Sequence, residues 1–126
     1  MEKKPFTDAL KEFTGTKKYH KHGPRNFQYL YLTDGCQFAM AEGRLFWLFN
    51  LITYLQGSKF LWKVYFQVWS LQHVSGVTWL ISCADGNGKL IYSDDFYEGV
   101  NVVVPITIWV DRGVAMLPSE HKPKKS

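Results

Sequence analysis

The spacing of hydrophobic residues changes near residue 57. Before it, Leu45, Leu48, Phe49, Ile52 and Leu55 recur at helical spacing, and Trp47, Leu51 and Tyr54 form a second stripe on another face. This predicts a helix over residues 36–56, introduced by Thr33-Asp34-Gly35, with Gly43 as its weak point. A helix apolar on two sides must be covered on both, by a sheet and by another element or a second copy of the chain. After residue 58 the period becomes two. In residues 64–71, Val64, Phe66 and Val68 oppose Tyr65, Gln67, Trp69 and Leu71. In residues 77–83, Val77, Trp79, Ile81 and Cys83 oppose Thr78, Leu80 and Ser82. Residues 89–92 form a third strand. Val102, Val104, Ile106, Ile108 and Val110 line a fourth, which Pro105 places at an edge or breaks, because proline cannot donate to a ladder.

Turn signals separate these runs: His73-Val74-Ser75-Gly76, Asp85-Gly86-Asn87-Gly88 and Asp111-Arg112-Gly113. Toward the N-terminus, a short helix is predicted over residues 7–13, with Thr7 as N-cap, Asp8 at the positive end of the dipole and Gly15 as the stop. Tyr29-Leu30-Tyr31-Leu32 reads as a short strand. The expected architecture is α+β in two layers: an antiparallel meander of four to five strands packed on one long and one short helix.

At 126 residues the chain is expected to form a single domain over residues 1–121, followed by a basic, disordered tail over 122–126. With 46% hydrophobic residues it can bury roughly two-thirds of the surface its unfolded form exposes. Nine Phe, seven Tyr and five Trp are more rings than one small core needs. Part of them is expected at a surface or interface; a bulky core is the plainer alternative. No apolar segment follows the basic start at Lys3 and Lys4, and the most apolar stretch, residues 45–55, would span only about 16 Å as a helix. That is too short for a bilayer core. With only two cysteines, Cys36 and Cys83, the composition favours a reducing compartment, so a cytoplasmic protein with no membrane contact is expected.

The net charge of +4 is uneven. Residues 1–25 hold seven Lys/Arg against three Asp/Glu, whereas residues 26–119 hold five against seven. Lys17, Lys18, Tyr19, His20, Lys21, His22 and Arg25 make a basic, aromatic loop suited to phosphate and a stacked base. The plainer reading is a solvated loop. His20 and His22, two apart in an extended segment, can point the same way, but no third ligand stands at supporting spacing, so no metal and no other cofactor is expected. Cys36 at a helix start has the position of an activated thiol, yet Asp34 opposes a thiolate and a buried small hydrophobe fits better. Asp94, Asp95 and Glu98 read as an acidic cluster in a polar loop over residues 93–99. Asp85-Gly86-Asn87-Gly88 opens like a calcium loop but has Lys89 where an oxygen ligand is needed, and is a turn. No Walker, dinucleotide, H-E-x-x-H or G-x-S-x-G pattern occurs, and no catalytic residue is assigned.

Six short segments in order carry a resemblance: Phe13-Thr14-Gly15-Thr16, Tyr31-Leu32-Thr33-Asp34-Gly35, Phe46-Trp47-Leu48, Phe66-Gln67-Val68-Trp69, Asp85-Gly86-Asn87-Gly88 and Leu117-Pro118-Ser119-Glu120. Over residues 10–121 the chain resembles the bacterial and phage family called domain of unknown function 6876. The resemblance implies a small stand-alone protein in a bacterial host cell and assigns no activity. With it, the expected function is a non-enzymatic binding or interaction protein, for example a phage or mobile-element accessory that contacts a host protein or sequesters a small ligand. The expected partner is a protein or a second copy of the chain, met through Trp47, Leu51 and Tyr54. The alternatives are a nucleotide or nucleic-acid binder using the basic loop, and a small hydrolase or nuclease joining His20 or His22 to Asp94 or Asp95.

Overall fold

A computed structural model describes residues 5–23, 29–58, 61, 63–97 and 105–121. In chain order the elements are α1 (Phe6–Leu10), β1 (His20–His22), β2 (Leu30–Leu32), α2 (Asp34–Glu42), α3 (Phe46–Leu55), β3 (Phe66–Ser75), β4 (Thr78–Asp85), β5 (Leu90–Tyr97), β6 (Ile106–Asp111) and β7 (Val114–Met116). A 3₁₀ turn, Pro118–Glu120, follows. The strands form one seven-stranded sheet in the order β1-β2-β7-β6-β3-β4-β5. Strands β2 and β7 pair in parallel and every other pair is antiparallel. The α+β class holds, but the sheet is larger than a five-stranded meander and is mixed.

Strand alternation sorts the side chains. Gln67, Trp69 and Leu71 of β3, Ile106, Ile108 and Val110 of β6, and Ala115 of β7 are buried. They pack with Leu48, Phe49 and Ile52 of α3 and with Cys36 and Ala39 of α2. Phe66, Val68, Thr107, Trp109, Val114 and Met116 alternate with them and are half-buried on the outer face.

The predicted long helix is two helices. Arg44 takes a left-handed φ of 54°, and the Leu45 N–H donates to the Met40 carbonyl at 3.1 Å. This is a Schellman stop with Arg44 in the place glycine usually fills, and buried Leu45 is its hydrophobic residue. Gly43 serves packing instead: a Cβ there would lie 2.6 Å from Phe6 Cζ of α1. Trp47 and Leu51 are half-buried against the core, while Tyr54 is 79% exposed. The exposed row of α3 is therefore Phe46, Asn50 and Tyr54, not the full stripe of Trp47, Leu51 and Tyr54.

Other boundaries moved for local reasons. Helix α1 starts after Pro5 with no side-chain cap, so Thr7 is not its N-cap; beyond Leu10 only single-turn bonds continue as far as Phe13. Strand β3 runs on to Ser75, and Gly76, at φ 51°, makes the hairpin turn. Pro105 precedes β6, which begins at Ile106 and lies inside the sheet between β7 and β3. Strand β5 continues through the supposed acidic loop. Asp94 sits opposite Ile81 and Asp95 opposite Leu80, so the two carboxylates point to opposite faces and form no cluster. Glu98, Val102, Val104 and the 122–126 tail lie outside the described residues.

The buried Gln67 amide has all its partners. Gln67 Nε2 donates to Gln56 Oε1 (2.9 Å) and the Val64 carbonyl (3.0 Å), while its Oε1 accepts from Gln56 Nε2 (2.8 Å) and Trp69 Nε1 (2.9 Å). This ties the end of α3 to β3. Gln67→Leu keeps the volume but strands the buried Trp69 N–H; we expect it to cost about 2 kcal/mol of stability, read as a lower urea midpoint. An unchanged midpoint would show that the network adds nothing to the apolar packing.

Candidate functional site

Three segments far apart in sequence meet at the start of α2. Glu120, buried at the end of the 3₁₀ turn, directs its carboxylate at that helix N-terminus. Its Oε1 accepts from Thr33 Oγ1 (2.5 Å) and the Leu117 N–H (3.0 Å), and its Oε2 accepts from the Gly35 N–H (3.0 Å). Thr33 Oγ1 also caps the helix by accepting from the Cys36 N–H at 3.3 Å. A helix N-terminus attracts anions, and here the chain supplies the anion itself. Gly35 is obligatory for this approach, since a Cβ would lie 2.5 Å from Glu120 Oε1 and 2.7 Å from Leu117 Cδ1.

Asp34 gathers the segment before β1. Its N–H donates to Thr16 Oγ1 (2.8 Å), its Oδ2 accepts from the Lys17 N–H (2.9 Å), and its Oδ1 lies 3.0 Å from His20 Nε2. The Lys17 N–H, and after it the His20 bond, hold the Asp34 carboxyl below its ordinary value of 3.8.

The two histidines of β1 do point the same way, toward the helices, but each has its own partner. His20 meets Asp34. His22 Nε2 lies 2.8 Å from Asn50 Oδ1 of α3, and its ring meets Phe46 edge-on at 5.4 Å. Among the described residues no group of three His, Cys, Asp or Glu could hold a metal ion. Lys21 faces outward, its Nζ 4.2 Å from the Tyr29 ring centroid, and Tyr29 meets Tyr31 edge-on at 5.5 Å. Lys17, Lys18 and Tyr19 are exposed, and Arg25 lies outside the described residues.

A hollow of about 300 Å³ opens beside these groups, lined by Thr16, Tyr19 and Thr33 on one side and by Asp111, Val114, Met116, Glu120 and His121 on the other. His121 Nε2 stands 3.9 Å from Asp111 Oδ2, and its ring packs on Trp109 (5.2 Å) and Phe66 (5.9 Å). Asp111, Trp109 and His121 carry no sequence signal of a site, because β6 and the C-terminal turn meet the β1 rim only in the folded sheet. Tyr19 and His121 can offer hydrogen bonds here and Asp111 can accept them, whereas the Thr16 hydroxyl already donates to the Lys18 carbonyl at 2.6 Å. Glu120 already has three donors.

The groups expected to do chemistry are not assembled. Strands β1 and β5 are opposite edges of the sheet, six strand spacings apart. His20 and His22 thus stand roughly 29 Å from Asp94 and Asp95, at about 4.8 Å per spacing. Cys36 is fully buried and its thiol is pushed well up by desolvation; burial also pushes Cys83 up to about 12. No helix among the described residues is long and apolar enough to cross a membrane.

A model of a family of unknown function, DUF6876, matches residues 4–121. The chain belongs to DUF6876. No curated protein and no solved structure matches it. Three of the six segments that carry the family resemblance, those containing Thr16, Thr33 to Gly35, and Leu117 to Glu120, are joined around Glu120 and Asp34.

Two substitutions test this construction. Gly35→Ala should cost about 2–3 kcal/mol in urea unfolding, because the helix start and Glu120 must separate. The control Gly86→Ala, whose Cβ would meet nothing closer than Phe66 Cδ1 at 3.5 Å, should be near neutral. The second concerns pH. A carboxyl held low in the folded state contributes stability that is complete above its unfolded value and is lost as pH falls through its folded value. Wild type should therefore exceed Asp34→Asn in stability at pH 6, and the gap should close as pH falls below 3.8. A constant gap would mean that the Asp34 charge is irrelevant.

Proposed function

We propose that this protein works by binding rather than by catalysis, and that its contact surface is the outer face of the sheet around β1, β2, β7 and β6. The observation that carries this reading is the division of the rings. Trp69 and Trp79 are buried, whereas Tyr19, which lines the polar hollow, is 59% exposed, Tyr29 and Tyr31 are 42% and 39% exposed at β2, and Trp109 and Phe66 are half-exposed across the same face; Phe46, Tyr54 and Tyr65 are exposed away from this hollow. Rings left at a surface next to directional polar groups suit a partner that is part apolar and part hydrogen-bonding. The non-enzymatic part rests on the use already made of most of the reactive groups: both thiols are buried, Glu120 accepts from three donors, Asp34 is engaged at both oxygens, and His20 and His22 fasten β1.

A thermal-shift screen tests the surface. The panel holds nucleotides, sugars, amino acids and polyamines, run on wild type and on Tyr31→Ala/Asp111→Ala. A compound at 100 times its dissociation constant adds about 2.7 kcal/mol of stability. At least one class should raise the melting temperature of wild type and fail to raise that of the variant. Equal shifts in both proteins would place the contact elsewhere.

A further inference from the structure

We propose that the outer sheet face is a stacking platform for single-stranded nucleic acid, an assignment that rests on the reading of that face as the contact surface. Two kinds of group occur together there. Lys17 and Lys18 stand exposed just before β1 and Lys21 on it, and the Lys21 Nζ lies over one face of the Tyr29 ring, so cation and ring are adjacent and a base stacking on Tyr29 uses its other face or displaces the ammonium. Phosphate contact and base stacking need that adjacency, because successive phosphates flank each base. Duplex DNA hides its base faces and would meet only the lysines.

The rings continue inward. Tyr31 on β2 is opposite Val114 on β7, Val114 is opposite Asp111 on β6, and Trp109 lies two residues further along β6. Strand spacing and rise put Tyr31 and Trp109 about 12 Å apart, enough to hold separate bases. Between them is the hollow with Asp111, His121 and Thr16. Asp111 repels a phosphate there but accepts from the exocyclic amino groups of a base, so the face divides into a phosphate-binding rim and a base-reading interior. An acidic peptide would satisfy the lysines and gain nothing from the carboxylate or from the ring spacing.

The test is fluorescence anisotropy of the full chain with a labelled DNA single strand of about 12 nucleotides, a length within the usual range for such platforms. Three lysine contacts predict a salt slope near −2, so affinity should fall about 20-fold between about 50 and 200 mM salt, and Lys21→Gln should lower the slope by about 0.7. Tyr29→Ala and Tyr31→Ala, at exposed positions, should each weaken binding about tenfold, and Tyr31→Phe should retain it. The same sequence as a duplex should bind more weakly. The assignment is overturned if no binding occurs at low salt, if Tyr31→Ala binds like wild type, or if polyglutamate competes as well as unlabelled oligonucleotide. A strand that fails to bind, alongside a melting shift that still depends on Tyr31 and Asp111, removes nucleic acid as the ligand and leaves the contact surface standing.

Discussion

A carboxylate taken out of water is stable only if donors replace its hydration, and Glu120 is met by Thr33, Gly35 and Leu117. Much of the topology follows from that requirement. The donors are the cap and first turn of α2 and the backbone of the C-terminal turn, so satisfying one charge joins two segments 85 residues apart. It closes the molecule at the parallel pair of β2 and β7, where, among the described residues, the sheet departs from antiparallel order. It also neutralises the positive end of α2 from within, leaving no free anion site at that terminus.

The same helix start also positions β1. Asp34, next to Thr33, collects Thr16, Lys17 and His20, which fixes the path of the chain before β1. With β1 fastened inward through His20 and His22, the residue between them, Lys21, must face out beside Tyr29. The arrangement that pairs the two histidines with Asp34 and Asn50 is therefore the one that turns Lys21 outward beside Tyr29. Histidines and lysines that form one basic run in sequence have opposite roles because a strand turns alternate residues to opposite faces.

Alternation was readable from the chain wherever one face of a strand is fully buried. Trp79, Ile81 and Cys83 share one face by spacing, as do Ile106, Ile108 and Val110, and all six are buried, whereas Val77, placed on the first of these faces by the same spacing, is exposed. The Asp85-Gly86-Asn87-Gly88 turn was equally legible, since Gly88 takes φ 85° and Asp85 Oδ1 accepts from the Asn87 and Lys89 N–H groups. Context overrides the local pattern elsewhere. An Arg in a left-handed stop looks like any helical Arg, so the break at Arg44 is invisible without the packing of Leu45 and of Phe6 on Gly43. A polar run such as Ser93-Asp94-Asp95 reads as loop, yet β5 is an edge strand with exposed residues and tolerates it. None of the outer-face residues Phe66, Trp109, Asp111 and His121 could be grouped from spacing, because their contacts cross strands.

By itself the sequence determined the α+β class, the hairpin turns, the alternation within the strands and the family. These depend on local periodicity and turn chemistry, which act over a few residues. The tertiary structure alone decided the parallel pairing of β2 with β7, the division of the long helix, the burial of Glu120 and which rings remain outside. Each of those is settled by competition for donors and for space between segments tens of residues apart, and no local pattern records its outcome.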